Sequence, residues 1–174
     1  MNAEMGELLV GAYLQLIEGC DFVGYNVRTP GGKLAGLNEL DVVGLRFADN
    51  TAYLCEVTTH IGGTLYGSGN ESTLKTIQTK FEKQEVYAAK YLENFDRHVF
   101  QFWAPRVPVG YLTERLAEID GLEVVINGEY KQRVDLLRHK ARKEMQPTGN
   151  DAFRMLQILE AMRDKPGEGP RPPA

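Results

Sequence analysis

Two neighbouring apolar segments constrain the fold of this chain more than any other feature of the sequence. They are "ELDVVGLRF" at residues 39–47 and "TAYLCEVTT" at residues 51–59, and only the turn sequence "ADN" separates them. Both segments are short and rich in β-branched and aromatic residues, which is typical of β-strands. Because so short a turn joins antiparallel strands, we predict a β-hairpin over residues 39–59.

The segments on either side of the hairpin predict a mixed α/β fold. Residues 2–18 have the apolar pattern of a packed helix, and "DFVGYNVR" predicts a strand before the loop "TPGGKLAG". After the glycine-rich "IGGTLYGSGN", Asn70 or Ser72 is expected to cap a helix that continues to about residue 94. Later patterns predict a strand at 98–104, a helix at 112–119, a strand at 122–127, and helices at 129–145 and 151–163. The order αβββαβ, followed by αβ and C-terminal helices, predicts a mixed sheet of about five strands with flanking helices.

Length and composition are those of one globular domain. We expect the 174 residues to form a domain over 1–164, with a core at about 4–104 and a C-terminal extension at 105–164. The segment 165–174, "KPGEGPRPPA", cannot bury a core and is expected to be a disordered tail. The N-terminus has no basic leader and no apolar run reaches membrane-spanning length, so we expect a cytoplasmic protein without membrane contact.

Several function classes find no support in the sequence. Cys20 and Cys55 lie in apolar segments without the spacing of a zinc site or a redox motif, which predicts buried thiols. The stretch "GGTLYGSG" lacks the closing Gly-Lys-Ser/Thr of a phosphate-binding P-loop. No serine or cysteine nucleophile with an ordered base and no dinucleotide fingerprint is present. A formal net charge of −4 argues against a protein that coats phosphates generally.

Two acids on the predicted hairpin indicate a metal site. Side chains alternate along a strand, so Asp41 and Glu56 are expected to lie side by side, within about 5 Å of each other. Two carboxylates so close repel each other unless a cation lies between them. Mg²⁺ or Mn²⁺ suits such a pair, with the carbonyl of Val57 and waters as further ligands. The alternative is that each acid is solvated at a sheet end or paired with a lysine or arginine.

The residues around these acids resemble a known superfamily. "GELLVGAYL…GC…YNVR…NELDVVGL…AYLCEVTTH" is similar to the restriction-endonuclease-like fold of the PD-(D/E)XK phosphodiesterases, over about residues 4 to 95. The nearest branches in layout are the small Holliday junction resolvase-like and Mrr-like nucleases. The family pattern falls on Gly6 and Glu7, Tyr13 and Leu14, Asn26 and Arg28, Glu39 and Asp41, and Glu56 with Thr58.

The resemblance implies a metal-dependent phosphodiesterase that acts on DNA, branched or double-stranded. Asp41 and Glu56 would hold Mg²⁺ or Mn²⁺, and Glu7 would contact the ion directly or through water. The alternative for Glu7 is an acid of the first helical turn that the helix dipole stabilises. A homodimer is plausible because cutting two phosphodiester bonds often needs two sites, although nothing in the sequence identifies an interface.

The chain departs from the family at one position. The lysine that the family carries two residues after the strand glutamate is here Thr58, which has no charge to replace it. The predicted long helix offers Lys80, which lies with Gln84 at the border of a buried face. Lys80 therefore joins Asp41, Glu56 and Glu7 in the expected catalytic set, or it is an ordinary surface lysine. The buried face of this helix is expected to consist of Leu74, Ile77, Phe81, Ala88 and Leu92.

Further residues are candidates for contact with substrate. They are Arg28, Thr58, His60 and Gln84. The alternative for His60 is a loop histidine without function. The spacing of Gln84 to Tyr87 and Tyr91 departs from the glutamine-tyrosine motif of RecB-type nucleases. The helix at 129–145 gathers six basic residues that either contact a phosphate backbone or form a solvated face: Lys131, Arg133, Arg138, Lys140, Arg142 and Lys143. Two functions from other classes stay open, a catalytically impaired module that binds nucleic acid or a protein partner without cleavage, and a scaffold whose acids are solvated.

Overall fold

The computed structural model describes residues 3–28, 39–63 and 66–163. Along the chain its elements are α1 (Met5–Leu16), β1 (Phe22–Arg28), β2 (Glu39–Arg46), β3 (Thr51–Val57), α2 (Asn70–Tyr91), β4 (Arg97–Ala104), α3 (Tyr111–Ala117), β5 (Leu122–Ile126), α4 (Asn127–Lys143) and α5 (Asp151–Ala161). The predicted element order and α/β class are confirmed. The loop expected at 29–36 and the tail expected at 165–174 lie outside the described residues.

The strands form one mixed sheet with the order β1-β2-β3-β4-β5. β1, β2 and β3 pair antiparallel, as a meander, whereas β3, β4 and β5 pair parallel. Parallel neighbours need a crossover connection, and α2 and α3 provide the two crossovers. At the β2–β3 turn, Asn50 adopts a left-handed conformation with φ of 52°. Its side chain donates hydrogen bonds to the Asn94 carbonyl at 2.8 Å and to Asp96 Oδ2 at 3.1 Å, which ties the hairpin to the start of β4.

Helices cover both faces of the sheet. α1, α4 and α5 pack on one face around a cluster that includes Tyr13, Leu14, Val42, Cys55, Trp103, Leu137 and Phe153. α2 and α3 cover the other face through two clusters that include Leu74, Ile77, Phe102 and Leu116, and Val43, Leu54 and Ala88. Six of the seven residues of β3 are buried because β3 is the central strand of the sheet and helices pack on both of its faces. Glu56, near the end of β3, is therefore held by the most buried strand of the sheet.

The start of α2 differs from the prediction in its cap. The N-cap is Gly69, and neither Asn70 nor Ser72 occupies that position. Ser72 lies at the third helical position, and its Oγ accepts a hydrogen bond from the Gly69 amide at 3.2 Å. The side chain thus satisfies the amide from inside the first turn. The predicted buried face is confirmed for Leu74, Ile77, Phe81 and Ala88, and Leu92 is half-buried.

The structure also tests the predictions about the two cysteines and about membrane-spanning helices. Cys20 and Cys55 are buried free thiols, as predicted. Burial raises the pKa of the Cys20 thiol to about 12, so this thiol stays protonated at neutral pH. Within the described part of the chain, no helix combines the length and apolarity needed to cross a membrane.

The burial of β3 on both faces leads to a stability prediction. Leu54 is fully buried between the layers, so Leu54→Ala should leave a cavity and lower the free energy of unfolding by about 3 kcal/mol. Urea denaturation followed by circular dichroism measures the change. Leu136→Ala, which truncates a half-exposed leucine of α4, serves as the control and should cost less than about 1 kcal/mol. Equal losses in the two variants would contradict the layered arrangement.

Candidate functional site

The two strand acids meet at one edge of the sheet. β2 and β3 pair antiparallel with Val42 opposite Cys55, so the next step along the ladder brings Asp41 level with Glu56. The predicted register of the hairpin is therefore observed. One oxygen of Asp41, Oδ2, accepts a hydrogen bond from the Val57 amide at 2.8 Å. This bond fixes the carboxylate at the point where β3 ends.

Asp41 is held in a setting that disfavours its charge. Burial raises the pKa of its carboxyl above the usual value, although the Val57 hydrogen bond and the positive charge of Lys80 act in the opposite direction. The negative charge of Glu39 adds to the rise. The folded protein therefore carries an acid that is costly to ionise at neutral pH.

Glu56 is only 5% exposed and receives two donors on the same oxygen. The ammonium group of Lys80, which reaches across from α2, forms an ion pair with Oε1. The Tyr66 hydroxyl donates to that oxygen at 3.3 Å, and the Lys80 ammonium also lies 5.2 Å from the centre of the Tyr66 ring. Burial lowers the pKa of Lys80, an effect that the charges of Asp41 and Glu7 oppose. Lys80 thus lies beside Glu56, as predicted, and Glu56 is paired with a lysine, which is the alternative that the sequence left open for this acid.

Glu7 brings a third carboxylate to this edge from the first turn of α1. Its Oε2 accepts hydrogen bonds from the Glu4 amide at 2.9 Å and from Asn26 Nδ2 at 3.2 Å. Burial raises the pKa of Glu7, and the nearby charge of Asp41 raises it further. Gly6 permits this approach of α1 to the sheet, because a Cβ at that position would lie 2.2 Å from Thr59 Cγ2. Glu7 therefore does more than cap its own helix.

Asn26 connects β1 to the same group of acids. It has φ of 50° inside a strand, a left-handed conformation that asparagine tolerates better than most residues. The ladder pairs Tyr25 with Val42 and Val27 with Leu40, so Asn26 lies across from Asp41. Strained backbone of this kind concentrates at functional sites. The strain here points the Asn26 amide at Glu7.

Three acids, Glu7, Asp41 and Glu56, lie towards this end of the sheet, and two of them are side by side. Glu7, Asp41 and Glu56 supply three negative charges against the single positive charge of Lys80. Among the hydrogen bonds of the described residues, those to the three acids use Oε2 of Glu7, Oδ2 of Asp41 and Oε1 of Glu56. Across residues 3–28, 39–63 and 66–163, no group of three or more His, Cys, Asp or Glu side chains is arranged closely enough to hold a metal by itself. Mg²⁺ commonly takes one or two carboxylates together with waters and substrate phosphate, which these residues could provide.

The candidates for substrate contact differ in their accessibility. Arg28 is exposed, and its Nη2 lies 3.4 Å from Oε2 of Glu39. His60 is also exposed, and its ring lies edge-on to the Tyr66 ring. Thr58 is buried, and its amide donates to the Trp103 carbonyl at 2.9 Å. Gln84 was expected at the border of the buried face of α2, but it is only 1% exposed. In the described part of the chain, neither of its amide atoms has a hydrogen-bond partner.

Five of the six basic residues singled out on α4 form ion pairs within the chain, and Arg133 is the one that is buried. Arg133 is buried between the rings of Tyr13 and Trp103, and it forms ion pairs with Glu123 and Glu129. It is therefore unavailable to a phosphate backbone. The other ion pairs of the helix join Lys131 and Arg138 to Asp135, Lys140 to Glu144, and Arg138 and Arg142 to Glu160.

Comparisons of the chain with family models, with curated proteins and with solved structures each find no match. One contributor was missed by sequence reasoning. Tyr66, which bonds to Glu56, is an aromatic residue in a glycine-rich connection, and that contrast was the only signal. Asn26 was named as a position of the family pattern, but its hydrogen bond to Glu7 was not predicted.

The raised pKa of Asp41 gives a prediction about stability. Its carboxyl binds a proton more tightly in the folded state, so the contribution of Asp41 to stability should fall as the pH rises above about 4, where this residue ionises in the unfolded chain. Asp41→Asn keeps an oxygen for the Val57 amide and removes the charge. We expect this variant to be more stable than the parent at pH 7 in the presence of a chelator, with a gain that shrinks towards pH 4. Urea denaturation at several pH values measures both.

A matched aspartate on the same hairpin serves as the control. The hydrogen bonds from Arg46 hold the pKa of Asp49 below its usual value. Asp49→Asn should therefore lose stability at pH 7, the opposite sign from Asp41→Asn. A loss of stability in both variants would show that the Asp41 charge is well compensated without a cation.

Proposed function

We propose that this chain is a metal-dependent phosphodiesterase of the restriction-endonuclease-like class that cleaves DNA. Asp41 and Glu56 are the metal ligands in this proposal, Glu7 is an accessory ligand, and Lys80 replaces the lysine that Thr58 has displaced. The αβββαβ order, the mixed sheet and the side-by-side placement of Asp41 and Glu56, with Glu7 near enough to feel the charge of Asp41, support it. Mg²⁺ or Mn²⁺ is the expected cofactor.

One observation carries the proposal. Position 58 lacks the expected lysine, and an ammonium group nevertheless reaches the carboxylate of Glu56 from a different element, α2. An ordinary surface lysine on this helix would extend into solvent, whereas Lys80 is mostly buried and lies against both Glu56 and Tyr66. A desolvated lysine beside paired acids is costly to maintain, so its presence favours a role in chemistry.

The arrangement suits hydrolysis of a phosphodiester. A divalent ion held by the carboxylates would supply Lewis acidity and stabilise negative charge at the phosphate. Asp41 is fixed by the Val57 amide and Glu56 by the Tyr66 hydroxyl, so both carboxylates are oriented before any ligand binds. The lowered pKa of Lys80 brings its amine nearer to neutral pH, where it can orient a water molecule or exchange a proton with it. The Val57 carbonyl remains a predicted ligand.

A specific feature also supports the second candidate, a module that binds without cleaving. The Lys80 ammonium already pairs with Glu56, so part of the acidic charge is compensated inside the protein. In a decayed nuclease, such a pair would hold the old site together without a metal ion. Binding of DNA without cleavage under every divalent ion tested would favour this candidate.

The catalytic proposal predicts cleavage that depends on the acids and on Lys80. The protein should cut plasmid or branched DNA with Mg²⁺ or Mn²⁺ and should be inactive in a chelator. Asp41→Ala should abolish cleavage, and Lys80→Ala should slow it about 100-fold or more, because the positioned amine is lost. Lys75→Ala is the matched control, since Lys75 is an exposed lysine of the same helix. If no DNA is cut, or if Lys75→Ala is as slow as Lys80→Ala, the assignment fails.

The replacement of one lysine by another has its own test. In the Lys80→Ala background, Thr58→Lys would return an amine to the position where the family carries it. We expect the double variant to recover cleavage about tenfold or more over Lys80→Ala alone. Thr58→Gln in the same background provides a side chain of similar reach without the charge and should not recover activity. Recovery with glutamine would mean that packing at the buried position, and not the amine, limits the rate.

Metal affinity distinguishes both candidates from a scaffold. Isothermal titration with Mn²⁺ should give binding that Asp41→Ala weakens. Failure to detect any divalent-ion binding would remove the basis for a nuclease site and leave a scaffold whose acids are compensated by Lys80 alone.

A further inference from the structure

α5 presents a second apolar face that points away from the core. Its inner face buries Ala152 and Phe153, as expected for a helix that covers a sheet. Four more large apolar residues recur at helical spacing and remain exposed, and they form an outer stripe: Met155, Ile158, Leu159 and Met162. Exposed apolar residues are common one at a time, but a contiguous stripe along two turns of a helix marks an interaction surface.

A groove continues this stripe towards α4. It has a volume of about 260 Å³ and runs between α5 and the end of α4. Ala141, Met145, Ile158 and Ala161 provide its apolar walls. Met145 is 85% exposed at its rim, and methionine adapts easily to the shape of a partner side chain. The groove and stripe together can hold one inserted apolar side chain and pack others beside it.

The rim of the groove is basic although the whole chain is acidic. Arg142 and Arg154 line it, and Arg163 lies at the end of α5. Two acids also line the groove, and both are already paired. Glu160 receives Arg138 and Arg142 at 2.7 Å and Arg163 at 3.7 Å, and Glu144 receives Lys140 at 2.8 Å. Arg154 bonds to Gln157 and to the Met145 carbonyl, and it has no carboxylate partner in the described part of the chain. The surface therefore carries the positive charge of Arg154, which no carboxylate of the described residues compensates and which a partner can bind.

We propose that this surface docks an acidic amphipathic helix of a partner protein. The outer stripe has the length and spacing that suit a third helix laid along α5 with its own apolar residues in register. One apolar side chain of the partner enters the groove, while its acidic residues face Arg154 and Arg163. The site is on the opposite face of the sheet from α2, so this inference is independent of the proposed nuclease function.

Other occupants fit less well. The C-terminal segment 165–174 consists of proline, glycine, alanine and charged residues, so it has no leucine, isoleucine, valine, methionine or aromatic side chain to fill the groove. A second copy could pair its α5 antiparallel through Ile158 and Leu159. That pairing would set Arg154 of one copy against Arg163 of the other, and like charges would oppose it. An acidic helix meets neither obstacle.

Two labelled peptides test the charge and apolar requirements. Both have about 18 residues and carry leucines at helical spacing; one has glutamates on its flanks and the other has lysines. Fluorescence anisotropy with the full chain should show that the acidic peptide binds about tenfold or more tightly than the basic one. Leu159→Glu should weaken binding of the acidic peptide about tenfold, and Arg154→Glu should reduce the preference for it. Val86→Glu alters an exposed apolar residue on α2 and should change nothing.

Several outcomes would overturn the proposal. They are equal affinity for the two peptides, no binding of the acidic peptide, and identical behaviour of Leu159→Glu and Val86→Glu. Sedimentation of the chain alone gives another: self-association that Leu159→Glu abolishes would assign the surface to a second copy. Binding to vesicles of anionic lipid that the same variant abolishes would assign it to a membrane. Melting curves of each variant identify any that are unfolded, and Arg154→Glu, at an exposed position, then carries the test.

Discussion

The pairing of β2 with β3 is the constraint on which the candidate site depends. It brings two acids from separate strands to one level at the edge of the sheet and removes both from much of the solvent. Burying like charges together is unfavourable, and the surrounding structure acts against that cost with the Val57 amide, the Tyr66 hydroxyl and the Lys80 ammonium. These three groups come from β3, the glycine-rich connection and α2. Compensation of the two buried acids of one hairpin therefore requires all three segments to lie close to it.

Much of the fold followed from local patterns. The hairpin was evident from two strand-like segments around a tight turn, and the long helix from its apolar face. The ends of elements were less predictable because they depend on single hydrogen bonds. Gly69 caps α2 because Ser72 reaches back to its amide from the third helical position, whereas the sequence alone favoured Asn70 or Ser72 as the cap. The periodicity of apolar residues thus predicted the order and type of the elements, whereas individual hydrogen bonds determine where each element begins and ends.

The candidate site was predictable where it rests on simple geometry. Strand alternation predicted that Asp41 and Glu56 meet, and the helical repeat predicted that Lys80 lies on their side of α2. Tertiary contacts decided the rest. The left-handed backbone of Asn26 and the place of Tyr66 depend on neighbours distant in the chain. Gln84 and Arg133 are buried because other elements close over them, which no pattern within their own helices reveals.

The origin of Lys80 on α2 also bears on how the protein reaches its native state. The acids belong to the meander and to α1, which can associate through contacts close in the chain, whereas the compensating ammonium arrives only when the crossover helix docks. Without α2 docked, the acids at the sheet edge would lack that ammonium group. Docking of α2 is thus coupled electrostatically to the meander, and such coupling favours a cooperative folding transition.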